Sequence, residues 1–181
     1  MQRCLFTILV CVLISNPLLA DNLSYWQGLA ENGSANAQFN LGAMYDNGDG
    51  VPEDDAEAAK WYQQAADQGH VNAQFNLGVM YANGEGVDKN ATEAATWYRK
   101  AADQGDYRAQ FNLGFLYANG EGVEQSYSES YVWLDIAAKS GHKNLVIKRD
   151  LAAEKLTTEE LNLAQQRADK LFAEIQQKST N

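Results

Sequence analysis

Residues 35–47, ANAQFNLGAMYDN, place apolar side chains at Ala37, Leu41, Met44 and Tyr45. That i, i+4, i+7, i+8 spacing is one stripe of an amphipathic helix. Gly48 stands where the stripe ends and predicts the stop, because glycine enters the left-handed C′ conformation without strain. Gly50 supplies a second tight point, after which Val51 can tuck back toward the apolar side. Asp54 or Asp55 then caps a second helix with the apolar side Ala58, Trp61, Tyr62, Ala65 and Ala66, and Gly69 ends it.

The pattern is then written twice more. AQFNLGAMYDNGDGV (37–51), AQFNLGVMYANGEGV (73–87) and AQFNLGFLYANGEGV (109–123) begin at intervals of 36 residues. In register, the units run 35–70, 71–106 and 107–142. YWQGLAENGSANAQ (25–38) matches WYQQAADQGHVNAQ (61–74), so residues 21–34 form a half-repeat, a second helix alone. A fixed period of this size signals a solenoid or a propeller. Helical spacing without β-alternation selects the first: an all-α fold, an α-solenoid of helix-turn-helix repeats. Gly42, Gly78 and Gly114 fall mid-helix, where glycine costs about 1 kcal/mol against alanine. Their recurrence predicts that another helix approaches closely there. Trp61, Trp97 and Trp133 are expected to wedge between neighbouring helix pairs.

The two ends read differently. MQRCLFTILVCVLISNPLLA (1–20) has a basic start at Arg3, an apolar run from Cys4 to Ile14 and a small-residue end at Ala20. That is the layout of a secretory signal peptide, with cleavage expected between Ala20 and Asp21. The apolar run is too short to span a bilayer comfortably, and no later segment is apolar enough. After Gly141 the period fails, and 143–181 reads as a C-terminal helical cap, which solenoids need to cover the last exposed core. Within it, NLVIKRDLAAEKL predicts one short helix. The next opens on a capping box, Thr157 to Glu160, and continues with Leu161, Ala164, Ala168, Leu171 and Ile175 on one face. A partner-binding helix is the alternative reading of that segment.

The repeat A-x3-LG-x2-Y-x2-G-x-GV followed by A-x2-W-x3-AA-x2-G resembles the Sel-1-like repeat family, relatives of the tetratricopeptide repeat. The middle copy carries it as Ala73, Leu77, Gly78, Tyr81, Gly84, Gly86, Val87, Ala94, Trp97, Ala101, Ala102 and Gly105, and the likeness covers nearly all of 25–142. The family's acidic cap is Asp54 in the first copy but Asn90 and Ser126 in the later two. Tyr127, Ser130 and Tyr131 replace small residues where the array is about to end. Many secreted relatives staple each repeat with a disulfide. This chain cannot, since Cys4 and Cys11 both lie in the signal segment.

Little in the sequence supports chemistry. His70 and His142 occupy the same inter-repeat turn two units apart, too far to share a metal or a proton. With no mature cysteine, zinc is not expected. Neither histidine has a nucleophile at a recognisable spacing. The GDG and GEG turns follow helices and lack the lysine of a phosphate loop. DNGDG puts glycines where calcium ligands would stand. No catalytic, cofactor or metal residue is assigned. The chain carries a net charge of −10, and without Arg3 it has 13 basic against 24 acidic residues. Nucleic acid and anionic membranes are therefore poor partners. The N-x-S/T strings at Asn22, Asn32 and Asn90 matter only in a eukaryotic host.

What remains is a surface. Beside the core stripe, the first helices carry Phe39, Phe75, Phe111 and Asn40, Asn76, Asn112 without change. They vary at Asn36, Asn72, Arg108 and at Ala43, Val79, Phe115. The resemblance places this face on the concave side of the superhelix. The phenylalanines either pack between adjacent first helices or contact a partner. The asparagines could bond the backbone of an extended peptide, and Arg108 could select a carboxylate. The expected partner-binding residues are Phe39, Asn40, Asn72, Phe75, Asn76, Val79, Arg108, Phe111, Asn112 and Phe115. The reading is a monomeric, non-catalytic protein- or peptide-binding module of the bacterial cell envelope, periplasmic or secreted and not inserted in the membrane. Its rivals are an enzyme acting on cell-wall material, which needs a pocket of perturbed titratable groups, and a structural subunit with an obligate partner.

Overall fold

The computed structural model describes residues 17–141 and 143–179. Most of the expected leader, including Arg3, Cys4 and Cys11, and His142 lie outside them. Among the described residues there are nine helices and no strand: α1 (Pro17–Glu31), α2 (Ala35–Asn47), α3 (Asp55–Asp67), α4 (Val71–Asn83), α5 (Ala91–Ala102), α6 (Tyr107–Asn119), α7 (Tyr127–Ala138), α8 (Lys143–Ala153) and α9 (Thr158–Ser179). The chain is an all-α repeat solenoid in which each helix from α1 to α7 packs on the next. α1 runs across the expected Ala20–Asp21 junction. None of the described helices is long and apolar enough to cross a membrane.

Side chains close the helix ends as the punctuation predicts. Asp54, Asn90 and Ser126 cap α3, α5 and α7, each accepting from a backbone N–H of the first turn. The first helices start on Ser34, His70 and Asp106. His70, which the sequence offered only as a failed metal ligand, caps α4 by accepting from the Ala73 N–H at 3.2 Å. Gly48, Gly84 and Gly120 end α2, α4 and α6 with φ of 70°, 83° and 71°.

Two sets of glycines hold the repeats together. A Cβ on Gly42 or Gly78 would lie 2.7 Å from the ring of Tyr62 or Tyr98, and one on Gly114 would lie 2.8 Å from Leu134. The mid-helix glycines thus seat the second helix of their own unit. The second glycine of the turns after α4 and α6 reaches backward. A Cβ on Gly86 would lie 2.1 Å from the Asp55 carbonyl oxygen, and one on Gly122 would lie 2.2 Å from that of Ala91. The turns after α4 and α6 therefore press, backbone to backbone, on the start of the preceding unit's second helix.

The core is built in segments, as nearest-neighbour stacking requires. One cluster joins Ala30 of α1 to Ala37, Leu41 and Met44 of α2, with Trp61 against it. The next joins Ala58, Tyr62 and Ala65 of α3 to Ala73, Leu77 and Met80 of α4, and Trp97 of α5 completes it. Trp133 enters the third, among residues of α5 and α6. The tryptophans wedge between helix pairs, as the register predicts. Buried Gln38, Gln74 and Gln110 donate to the Ala30, Ala66 and Ala102 carbonyls at 3.1 Å. Each gives a second hydrogen bond to a helix-end carbonyl that already accepts from the backbone N–H of Gly33, Gly69 or Gly105 in the turn. Gln68 and Gln104 donate in turn to Gln38 and Gln74 at 2.6 and 2.7 Å.

At the C-terminal end the structure corrects the sequence reading. The residue pattern lapses after Gly141, yet α8 begins 36 residues after α6, where a fourth first helix would stand. α9 then departs from the repeat, and both α8 and α9 pack chiefly on α7. Thr157 and Glu160 make the expected capping box: the Thr157 N–H donates to Glu160 Oε2 at 2.8 Å and the Glu160 N–H to Thr157 Oγ1 at 3.3 Å. Ala164, Ala168 and Ile175 are buried against the last repeat.

Candidate functional site

The first-helix face was assigned three roles in the sequence: aromatic contact, amide ladder and carboxylate recognition. The structure distributes them differently. Phe39 is half-buried. Its ring stacks on His70 at a centroid distance of 4.5 Å and leans on Tyr62 at 5.7 Å. Phe75 lies 6.0 Å from Tyr98, with the Arg108 guanidinium 4.2 Å above its other side. These two rings pack beneath the N-terminus of the next first helix and keep only part of their surface for a partner.

Two rungs of the asparagine ladder are already engaged. The Tyr62 hydroxyl donates to Asp46 Oδ2 at 3.0 Å and accepts from the Asn76 amide. Burial, then the Asp46 carboxylate, raises that hydroxyl far above its usual pKa, so it stays a donor. Tyr98, pushed up to about 12 by burial, accepts from Asn112. Asn40 has Trp26 at the corresponding place, and both line a shallow cleft with Ala43 and Met44. An amide has two N–H donors, so Asn76 and Asn112 retain capacity beyond the tyrosine.

Arg108 is not a free cation. Asp106, whose side chain is only 6 % exposed, accepts from its Nη2 at 2.5 Å, and Asn72 Oδ1 accepts at 2.8 Å. The hydrogen bond to Asp106 raises the guanidinium pKa further. Asn72 and Arg108 form a pair between repeats, and a partner carboxylate would have to share Arg108 with Asp106.

Phe111 and Phe115 differ from the rings before them. Phe115 is half exposed, and both line an apolar pocket closed by Leu134 of α7 and Leu151 of α8. Val79 is partly buried against the same core segment. Sequence reasoning missed the contribution of α8. Stepping 36 residues from Phe111, Asn112 and Phe115 reaches Ile147, Lys148 and Leu151, so the period alone could have found them.

A second cleft, of about 450 Å³, lies on the cap among α7, α8 and α9. Lys139 pairs there with Asp135 at 3.1 Å and Asp169 at 2.8 Å, and Arg149 pairs with Asp135 at 3.3 Å and Asp150 at 2.7 Å. With both cations paired in this way, the cluster works as a clamp between helices. No group of three or more potential metal ligands occurs among the described residues.

Known proteins share this architecture. A protective antigen of uropathogenic Escherichia coli with an SLR fold superposes with a TM-score of 0.78 at 34% identity, over 88% of this chain and 34% of its own. A Sel1 repeat protein from Oxalobacter formigenes gives 0.65 at 35% identity, over 75% of this chain and 58% of its own. Cysteine-rich protein B of Helicobacter pylori, at 0.56 and 20% identity over 74% and 95%, shares the fold. The chain thus spans about a third and somewhat over half of the first two relatives. No curated protein matches it in sequence. The model of the Sel1 repeat matches residues 35–70, 71–106 and 108–142, and the chain belongs to the Sel1 repeat family.

Proposed function

We propose that this protein is an exported, non-catalytic binding module that holds an extended segment of a partner protein along the face of α2, α4, α6 and α8. Sel1 repeats generally mediate protein–protein interaction, which supports the class. The observation that carries the reading for this chain is the face itself. Phe39, Phe75, Phe111 and Asn40, Asn76, Asn112 recur at one spacing and stay partly exposed, with Val79 and the half-exposed Phe115 between them. Aromatic residues held this way are the usual anchors of interfaces. Export to the envelope rests on the signal-like start, and intact mass of the native product should begin at Asp21.

The test places a photo-crosslinking amino acid at Ala43, Val79 or Lys60 in the native host. Ala43 and Val79 should give the same adduct, and Lys60, on the outward side of α3, none. An adduct from Lys60 with none from Val79 would move the binding face elsewhere. Alanine at Arg108 is a poorer probe, since it leaves the nearly buried Asp106 carboxylate without its cation.

A further inference from the structure

At its C-terminal end the same face opens into a pocket of about 250 Å³, lined by Phe111, Phe115, Leu134 and Leu151. Its origin is a substitution within the repeat. Tyr62 and Tyr98 occupy the place of Leu134 in the two preceding units, their rings lying over Gly42 and Gly78. Gly114 is retained beneath Leu134, which fills the seat over the glycine as the rings do but is shorter than a phenol and does not reach as far outward. Phe115 and Leu151 are each 50% exposed at the pocket mouth, and Ile147 beside them is 62% exposed. Ser130, fully buried in the lining, has a hydroxyl without a hydrogen-bond partner among the described residues.

The charge around this opening reverses that of the chain. Residues 35–142 hold six basic and sixteen acidic residues, whereas 143–155 hold four basic and two acidic. Lys148 and Lys155 stand on the pocket rim. Neither is in an ion pair among the described residues, while Arg149 of the same helix is committed to Asp135 and Asp150.

We infer that this pocket takes one bulky apolar side chain from the partner segment, with acidic residues of that segment reaching Lys148 and Lys155. The inference rests on the binding reading above and adds the partner's chemistry. A half-open pocket of this size suits a single side chain, and two lysines beside it favour carboxylates in sequence proximity. A lipid surface would meet the acidic remainder of the chain.

A phage library of random dodecapeptides panned on the purified protein tests this. Enriched peptides should share a bulky apolar residue with Asp or Glu within a few positions. Synthetic, fluorescein-labelled copies titrated by anisotropy should lose about 30-fold in affinity on Leu134→Tyr, which refills the pocket as the earlier repeats do. Phe115→Ser, at a half-exposed site, should weaken binding comparably with an unchanged melt. Lys148→Glu with Lys155→Glu should weaken it and flatten its salt dependence. Peptides that bind but ignore all these changes would overturn the pocket while leaving the wider binding face standing. Enrichment of basic or uncharged peptides, or of none, would overturn the inference. So would co-sedimentation with phosphatidylglycerol vesicles that Lys148→Glu with Lys155→Glu abolishes, in the absence of peptide binding.

Discussion

Gly86→Ala should damage the solenoid far more than Gly69→Ala, although both glycines stand at similar left-handed φ, 68° and 89°. A non-glycine residue in that region costs about 1–2 kcal/mol, and this term is common to both variants. The difference lies in what the new methyl meets. At Gly69 nothing lies within 4 Å, whereas at Gly86 the Asp55 carbonyl oxygen lies 2.1 Å from the Cβ position and the Ala56 nitrogen 2.7 Å. Those obstacles are backbone atoms at the start of α3 and cannot rotate away, so the turn after α4 must lift from the preceding repeat. Overpacking costs about 1–3 kcal/mol, and a rigid obstacle puts this site near the upper end. At roughly 2–4 °C per kcal/mol for a chain of this size, the two melting temperatures should differ by roughly 6–12 °C. Because each repeat is stabilised by its neighbours, Gly86→Ala should also broaden or split the transition. Circular dichroism melts of the two variants provide the measurement. Equal losses with equally sharp transitions would refute the backbone-to-backbone seat as the element coupling repeats.

Two further outcomes follow from the core and the caps. Trp97 completes the cluster between α3 and α4 and is only 5% exposed, whereas Trp26 is partly exposed at the first helix pair. Trp97→Ala should cost about 3–5 kcal/mol, and Trp26→Ala clearly less, read as shifts in urea midpoint; equal shifts would mean that the register is wrong. Burial lowers the pKa of His70 below its ordinary 6.5, and its imidazole accepts the α4 capping bond. A depressed folded-state value means that stability is complete above pH 6.5 and falls as the pH drops through and below it, where the unfolded chain binds the proton first. Thermal melts between pH 7.5 and 5 should show this loss reduced in His70→Ser, which keeps a cap of the type Ser34 provides; identical pH profiles would remove His70 as the source.

The seating of each unit also shapes what the proposed binding face can offer. Phe39 and Phe75 pack beneath the next first helix, and Tyr62 and Tyr98 engage Asn76 and Asn112. The residues that repeat most faithfully are thus partly spent on stacking. The positions that vary, Val79 and Phe115, and the departures at Leu134 and Lys148 are freer to set specificity. The unit that ends the array has Leu134 where the earlier ones have a tyrosine and a basic helix beside it, and both line the pocket.

The helices, their ends and their order were legible in the chain because each depends on a few adjacent residues. An apolar stripe, a capping Asp54, Asn90 or Ser126 and a glycine at 48, 84 or 120 are local requirements, and a 36-residue period repeats them. The wedge of Trp97 and the close approach at Gly78 also followed, since one register fixes every unit. Contacts across repeats needed the fold. Gln38 reads as a polar residue, and only the stacking of α2 against α1 brings its amide to the Ala30 carbonyl. Arg108 reads as a free cation until the fold brings Asn72 Oδ1 of the preceding unit within 2.8 Å of its Nη2. α8 reads as part of a cap because its residue types depart from the repeat, yet it begins at the repeat spacing and extends the face. Hydrophobic periodicity records which side of a helix is buried, and it carries no record of which distant helix does the burying; that was decided by packing in three dimensions.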